Sequence, residues 1–220
     1  MTRTVPFARW LLSTSVLFGV LFLCAGGMDN LMLNIYLAVF AVWGLIVAIV
    51  ADRSLDRERR NPNLGRIHLG SRGAASFLFL ATVMVAALDT GRFHWTHDIG
   101  TASQLAALVV LLLAAGLQIL AMAVNPFFST AIRIQTERGH RVINRGPYRY
   151  IRHPGYLAMA LSMPATAIAL CSAVALIPAM GYSFLILLRI LGEDRFLKES
   201  LPGYSGYSGM VRYRLIPGLW

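Results

Sequence analysis

Residues 154–188 read PGYLAMALSMPATAIALCSAVALIPAMGYSFLILL, 35 positions without a charge. A helix rises about 1.5 Å per residue, so about 20 apolar residues cross the roughly 30 Å of a bilayer's hydrocarbon. The stretch is therefore too long for one crossing and short for two. A tight hairpin of two helices turning near 169–173 accounts for it; one long kinked helix is the alternative. Pro164 and Pro178 fall inside those helices, which membrane helices tolerate when neighbours satisfy the freed carbonyls. Four further stretches lack charge, at 10–28, 31–51, 73–88 and 99–132. The first two each fit one crossing. The third has 16 residues and can cross with flanking residues held at the interface. The fourth crosses from about 101 to 124 and leaves an uncharged Asn125-Pro126 tail. The pattern predicts an all-α polytopic membrane protein of six transmembrane helices, or five if 154–188 is a single helix.

Composition agrees. The chain has 220 residues, of which 57 % are apolar and 14 % charged, whereas soluble domains carry about 45–50 % and about 25 %. The length suits one membrane domain over 1–220 and leaves no room for a separate soluble catalytic domain. Lys and Arg together number 20 against 10 Asp and Glu. Their placement is uneven. Arg3 and Arg9 precede the first stretch, six arginines lie in 52–72, six in 125–153, and four with Lys198 from Arg189 onward. The connections at Asp29-Asn30 and near 169–173 carry none, and 89–98 has Arg92 alone. Nineteen of the twenty basic residues thus fall on one side of a six-span arrangement. The positive-inside rule makes that side cytoplasmic, with both termini there. The expected location is a bacterial inner membrane, and a retained first helix is expected over a cleaved signal peptide.

The excess base has no zinc-finger spacing, helicase loop or RNA-binding aromatic motif beside it, so it does not indicate nucleic acid. Arg53, Arg57, Arg59 and Arg60 read as topology signals attracted to anionic headgroups. Cys24 and Cys171 lie in apolar runs and make neither a disulfide framework nor a metal site.

Residues 133–158, RIQTERGHRVINRGPYRYIRHPGYLA, hold more than topology needs: two histidines, three tyrosines and two Gly/Pro turns. Pro154 opens a helix, where its missing N–H has no partner to lose. Arg152 and His153 then sit at a membrane-entry point beside a helix N-terminus, whose free N–H groups make a positive field. A guanidinium there suits a carboxylate or phosphate, of a ligand or of a lipid. Tyr148, Tyr150 and Tyr156 fit either a site or an interfacial aromatic belt. Glu193-Asp194 follow the last stretch. If 154–188 is a hairpin, antiparallel packing brings them near Arg152 and His153. They can hold ribose hydroxyls, an amine or a cationic centre, or pair with Arg189 and Arg195. The end of the chain, LPGYSGYSGMVRYRLIPGLW, is basic and aromatic, and its Pro-Gly and Ser-Gly pairs oppose one long helix. An ordered cap over the polar face is expected.

RGHRVINRGPYRYIRHPGY at 138–156, GEDRFL at 192–197 and RYRLIPGLW at 212–220 resemble the isoprenylcysteine carboxyl methyltransferase family. More broadly they resemble the integral-membrane methyltransferases that include phosphatidylethanolamine N-methyltransferases. The resemblance covers about 125–220; residues 1–98 match only as generic membrane helices ahead of a methyltransferase-like core at 99–220. It implies S-adenosylmethionine as cofactor and an apolar or lipid-linked methyl acceptor reached from the membrane. It places the cofactor on the signature Arg152-His153-Pro154-Gly155-Tyr156 and the acidic pair Glu193-Asp194. It also implicates loops bearing Gln135, Gly139, His140, Val142, Gly146, Pro147, Tyr148 and Tyr150. Two positions depart from the family pattern: Ala158 stands where Gly is frequent, and Asp194 where the pair often has a second Glu. A carboxylate acceptor would be oriented by an arginine, with Arg149, Arg152 and Arg212 as candidates. An amine acceptor would lose a proton to Glu193 or His153. No metal is implied.

Two other classes compete. Membrane sterol reductases share a related C-terminal architecture and use NADPH, but call for an extra basic pocket for its 2′-phosphate. A transporter or lipid-binding scaffold would put polar groups at mid-span, where only scattered Ser, Thr, Asn34 and Gln118 occur.

Overall fold

The computed structural model describes residues 4–27, 29–50, 66–97, 99–129 and 132–220. Arg3, Arg53, Arg57, Arg59 and Arg60 lie outside the described residues. Among the described residues all regular structure is helical. The helices are α1 (Thr4–Ala25), α2 (Leu31–Val50), α3 (Arg66–Leu88), α4 (Thr101–Val124), α5 (Pro154–Ala169), α6 (Leu176–Ser200) and the short α7 (Tyr204–Met210).

Helices at Leu31–Val50, Ser71–Phe93, Thr101–Val124 and Leu176–Ser200 are long and apolar enough to cross a membrane, and only 17–28 % of each apolar window is buried within the protein. The remainder is an apolar exterior, carrying exposed Ile49, Phe77, Leu113, Ile177 and Phe184, as lipid requires and water would penalise. The chain is a helical membrane protein. Of the six crossings expected, four have the length and apolarity of a full span among the described residues. The apolar part of α1 is the shorter Trp10–Ala25, and α5 has 16 residues, about 24 Å of helix.

The third stretch gains length at both ends. The helix starts at Arg66 and runs on past Leu88 as one π-helical turn, Asp89–Phe93. Asp89 is buried rather than an exposed connection residue. Its carboxylate accepts hydrogen bonds from Thr96 N (2.9 Å), Thr96 Oγ1 (2.7 Å) and Ser172 Oγ (2.6 Å). Those bonds tie this turn to the link between α5 and α6.

α5 and α6 are joined at 170–175 and pack on each other, and α5 also packs broadly on α4. Pro164 has no N–H for the carbonyl of Ala160. Ser183 Oγ of α6 donates to that carbonyl instead, at 2.7 Å. Pro178 is the third residue of α6, where an N–H would have no intrahelical partner. α3 packs antiparallel on α6: Arg189 Nη1 donates to Ser71 Oγ at 3.1 Å, and Leu78 lies against Gly181. α1 closes on α2, where Trp10 Nε1 donates to Ala41 O at 2.9 Å. Leu17, Leu21, Leu33, Leu37, Val83 and Ile186 share one core.

Candidate functional site

The polar cluster begins where α5 does. Arg152 and His153 immediately precede Pro154, and their backbone amides donate to Tyr213 O and Arg214 O, each at 3.0 Å. The C-terminal segment is thereby held alongside the helix entrance. It turns back on itself, with Arg214 N and Leu215 N donating to Trp220 O and the Arg214 guanidinium over the Trp220 ring.

Asp194 of α6 is the centre of this assembly. Its side chain is 3 % exposed. Oδ1 faces Arg152 Nε (3.1 Å) and His153 Nε2 (3.5 Å) and accepts from Tyr204 OH (3.0 Å). Oδ2 accepts from Arg152 Nη2 (3.3 Å) and Arg214 Nε (3.2 Å) and lies 3.4 Å from Lys198 Nζ. One carboxylate therefore joins the entrance of α5, the end of α6, α7 and the C-terminal segment. Arg152 Nη1 also donates to Ser208 O and Val211 O, so its donors are directed at the protein.

Glu193, one position earlier, is turned differently. Its Oε2 accepts from Tyr156 OH at 2.6 Å, and Arg189 lies over the Tyr156 ring. The loop between α4 and α5 is built on Gln135, which is buried. Gln135 Nε2 donates to Phe127 O (2.8 Å), and its Oε1 accepts from Arg138 Nη1 (2.7 Å). Its backbone N–H donates to His140 Nδ1 (3.2 Å), and the His140 ring stacks on Phe127 with centroids 4.5 Å apart. Burial, with Arg133 and Arg138 nearby, holds the His140 imidazole below its ordinary pKa. The neutral ring is the form whose Nδ1 can accept. Tyr148 is buried under α4, where Asn125 Nδ2 donates to its hydroxyl at 3.2 Å, and Tyr207 OH donates to Tyr148 O at 2.7 Å. Burial pushes the Tyr148, Tyr204 and Tyr207 hydroxyls well above their ordinary pKa, so all three remain neutral donors. Gly155 is required by packing: a Cβ there would lie 2.5 Å from the Phe128 ring.

These groups surround a cavity of about 620 Å³ between α3, α4, α5, α6 and the 125–153 loop, within the range of about 300–1,000 Å³ usual for ligand sites. Of the residues singled out from sequence, Arg152, His153, Tyr156, Glu193, His140, Val142 and Tyr148 line it. Asp194 and Gln135 stand behind the wall as its supports. Gly139 and Gly146 have positive φ and shape the loop backbone, while Pro147 lies in the short helical turn Gly146–Arg149 and Pro154 opens α5. Arg149, Tyr150 and Arg212 are exposed and are not among the cavity's lining residues. Sequence reasoning passed over Phe127, Phe128 and Tyr182, whose surroundings read as plain apolar helix or loop. It also passed over Arg72, which was counted with the topology signals, and Arg189, which was treated only as a partner for Glu193.

The sequence model of the isoprenylcysteine carboxyl methyltransferase family matches residues 105–199. Over those residues the chain is similar to that family. The match takes in α4, the loop that builds the cavity, α5 and nearly all of α6. α1–α3 and the C-terminal segment lie outside it. No curated protein matches the chain. The match makes this part of the chain similar to a family of carboxyl methyltransferases, and the apolar helices make the chain a helical membrane protein.

Proposed function

We propose that the protein transfers a methyl group from S-adenosylmethionine to the carboxylate, or to an amine, of a lipidic acceptor that enters the cavity from the bilayer. The observation that carries this reading is the single cavity with two characters. At the end where Ser71 meets Arg189 it is lined by Arg72, Arg152, His153, Arg189 and Glu193. Toward the contact of Leu78 with Gly181 it is lined by Phe79, Leu80, Tyr182 and Ile186.

The chemistry of the lining fits the cofactor. Phe127, Phe128 and His140 supply rings for a purine, Glu193 an acceptor for hydroxyl or ammonium donors, and the arginines donors for a carboxylate. Bound S-adenosylmethionine supplies a methyl group on a sulfonium, which needs alignment and a desolvated nucleophile more than acid–base groups. This chain's residues provide both. Tyr156 fixes the Glu193 carboxylate at 2.6 Å. The Asp194 assembly locks Arg152 and His153, and the apolar wall excludes water. Of the lining arginines, Arg133 is paired with Glu137 and Arg152 with Asp194; Arg72, Arg141 and Arg189 against the one lining carboxylate of Glu193 favour a carboxylate acceptor. Such an acceptor is ionised already and requires no base. An amine acceptor would pass its proton to Glu193 or His153.

In this reading α5 and α6 form the hairpin that carries the pocket, the short α1 and α5 complete six crossings, and both termini face the cytoplasm of a bacterial inner membrane. The charge distribution supports that orientation. Calorimetric titration of the purified protein with S-adenosylmethionine and with NADPH tests the reading. Binding of the first alone is expected, with Glu193→Ala weakening it about tenfold. A response to NADPH alone overturns it.

A further inference from the structure

α3 contributes one continuous face to the cavity: Arg72, Ala75, Ser76, Phe79 and Leu80 all line it. Their spacing is i, i+3, i+4, i+7, i+8, the signature of a single helix stripe. The stripe begins with a cation, passes through two small residues and ends on two large apolar ones, over about 12 Å. The contacts of Ser71 with Arg189 and of Leu78 with Gly181 set its antiparallel register on α6. The cationic end therefore lies beside the polar part of the cavity and the apolar end reaches into the membrane-facing helices. Among the described residues Arg72 donates no hydrogen bond and forms no ion pair. The cavity's one lining carboxylate, Glu193, is already engaged by Tyr156. An arginine that only marks topology needs water or lipid phosphate, not a place on a cavity wall.

We propose that the Arg72 stripe of α3 is the acceptor-selecting element: Arg72 binds the anionic head of a single-chain amphiphile whose apolar tail lies along Ala75, Phe79 and Leu80. The head is a carboxylate or a phosphate, which offer a guanidinium the same paired oxygens. The element lies outside the family-matched residues 105–199, so it specifies this chain's ligand rather than the shared chemistry. The inference rests on the proposed function for its meaning, but the binding it asserts is measured separately.

Detergent-solubilised full-length protein is titrated with dodecanoate, dodecyl phosphate and dodecylamine, with S-adenosylmethionine titrated in parallel. At least one anionic probe is expected to bind and the amine to bind at least tenfold more weakly. Arg72→Gln should lower affinity for the bound anionic probe at least tenfold, a charge-assisted contact being worth that much. Arg72→Lys should recover part of the loss, and elution as a single species confirms that each variant is folded. Preference for dodecanoate names a carboxylate head, and preference for dodecyl phosphate a phosphate head. Unchanged probe affinity in Arg72→Gln, or equal binding of the amine, overturns the proposal. Failure to bind S-adenosylmethionine with the Arg72 effect intact would overturn the methyltransferase reading and leave the anion site standing.

Discussion

Two adjacent carboxylates, Glu193 and Asp194, do different work because successive positions on a helix point about 100° apart. Glu193 faces the cavity and meets Tyr156; Asp194 faces inward and gathers Arg152, His153, Tyr204 and Arg214. The sequence marked the pair and its basic partners, since Arg152-His153 and Glu193-Asp194 are legible as motifs. It did not divide their roles, because the division depends on which face of α6 meets the folded-back end of the chain. Removing one member of a buried charged assembly leaves the others uncompensated. Asp194→Asn is accordingly expected to destabilise the protein by about 3 kcal/mol and to release the segment after α7. Thermal unfolding in detergent and hydrogen exchange at the Arg152, His153 and Arg214 amides measure the two effects. Unchanged exchange there would refute the clamp assigned to Asp194.

At the scale of elements, the ends of α4 were readable because charge and apolarity change together there. The span expected at about 101–124 is the observed Thr101–Val124. The start of α3 was not, because Arg66 and Arg72 look like connection residues until one sees that a helix can carry arginines into the interface. Asp89 was missed for the same reason: polarity in sequence does not reveal that Thr96 and Ser172 close around it. Pro164 was legible as a tolerated break, and Ser183 is its physical remedy. Ser183→Ala leaves the Ala160 carbonyl without its partner and should cost about 1–3 kcal/mol. In a Pro164→Ala background the restored N–H can serve that carbonyl, so the same change should cost markedly less. A double-mutant cycle by thermal unfolding reads the coupling; strict additivity would contradict the Ser183 role.

For the molecule as a whole, hydropathy and charge gave a helical membrane protein, but not the shape of its cavity. That cavity needs α3, whose sequence has no family signature, and a C-terminal segment whose order comes from backbone bonds to Arg152 and His153. The central claim is that this cavity, polar at one end and apolar over most of its wall, brings S-adenosylmethionine and a membrane-borne acceptor together. The most direct measurement is transfer of labelled methyl from S-adenosylmethionine by the purified protein into a host lipid extract. The account predicts label in a lipid-soluble product, base-labile if the acceptor is a carboxylate and stable if it is an amine. Folded, S-adenosylmethionine-binding protein that labels nothing in the lipid fraction would contradict it.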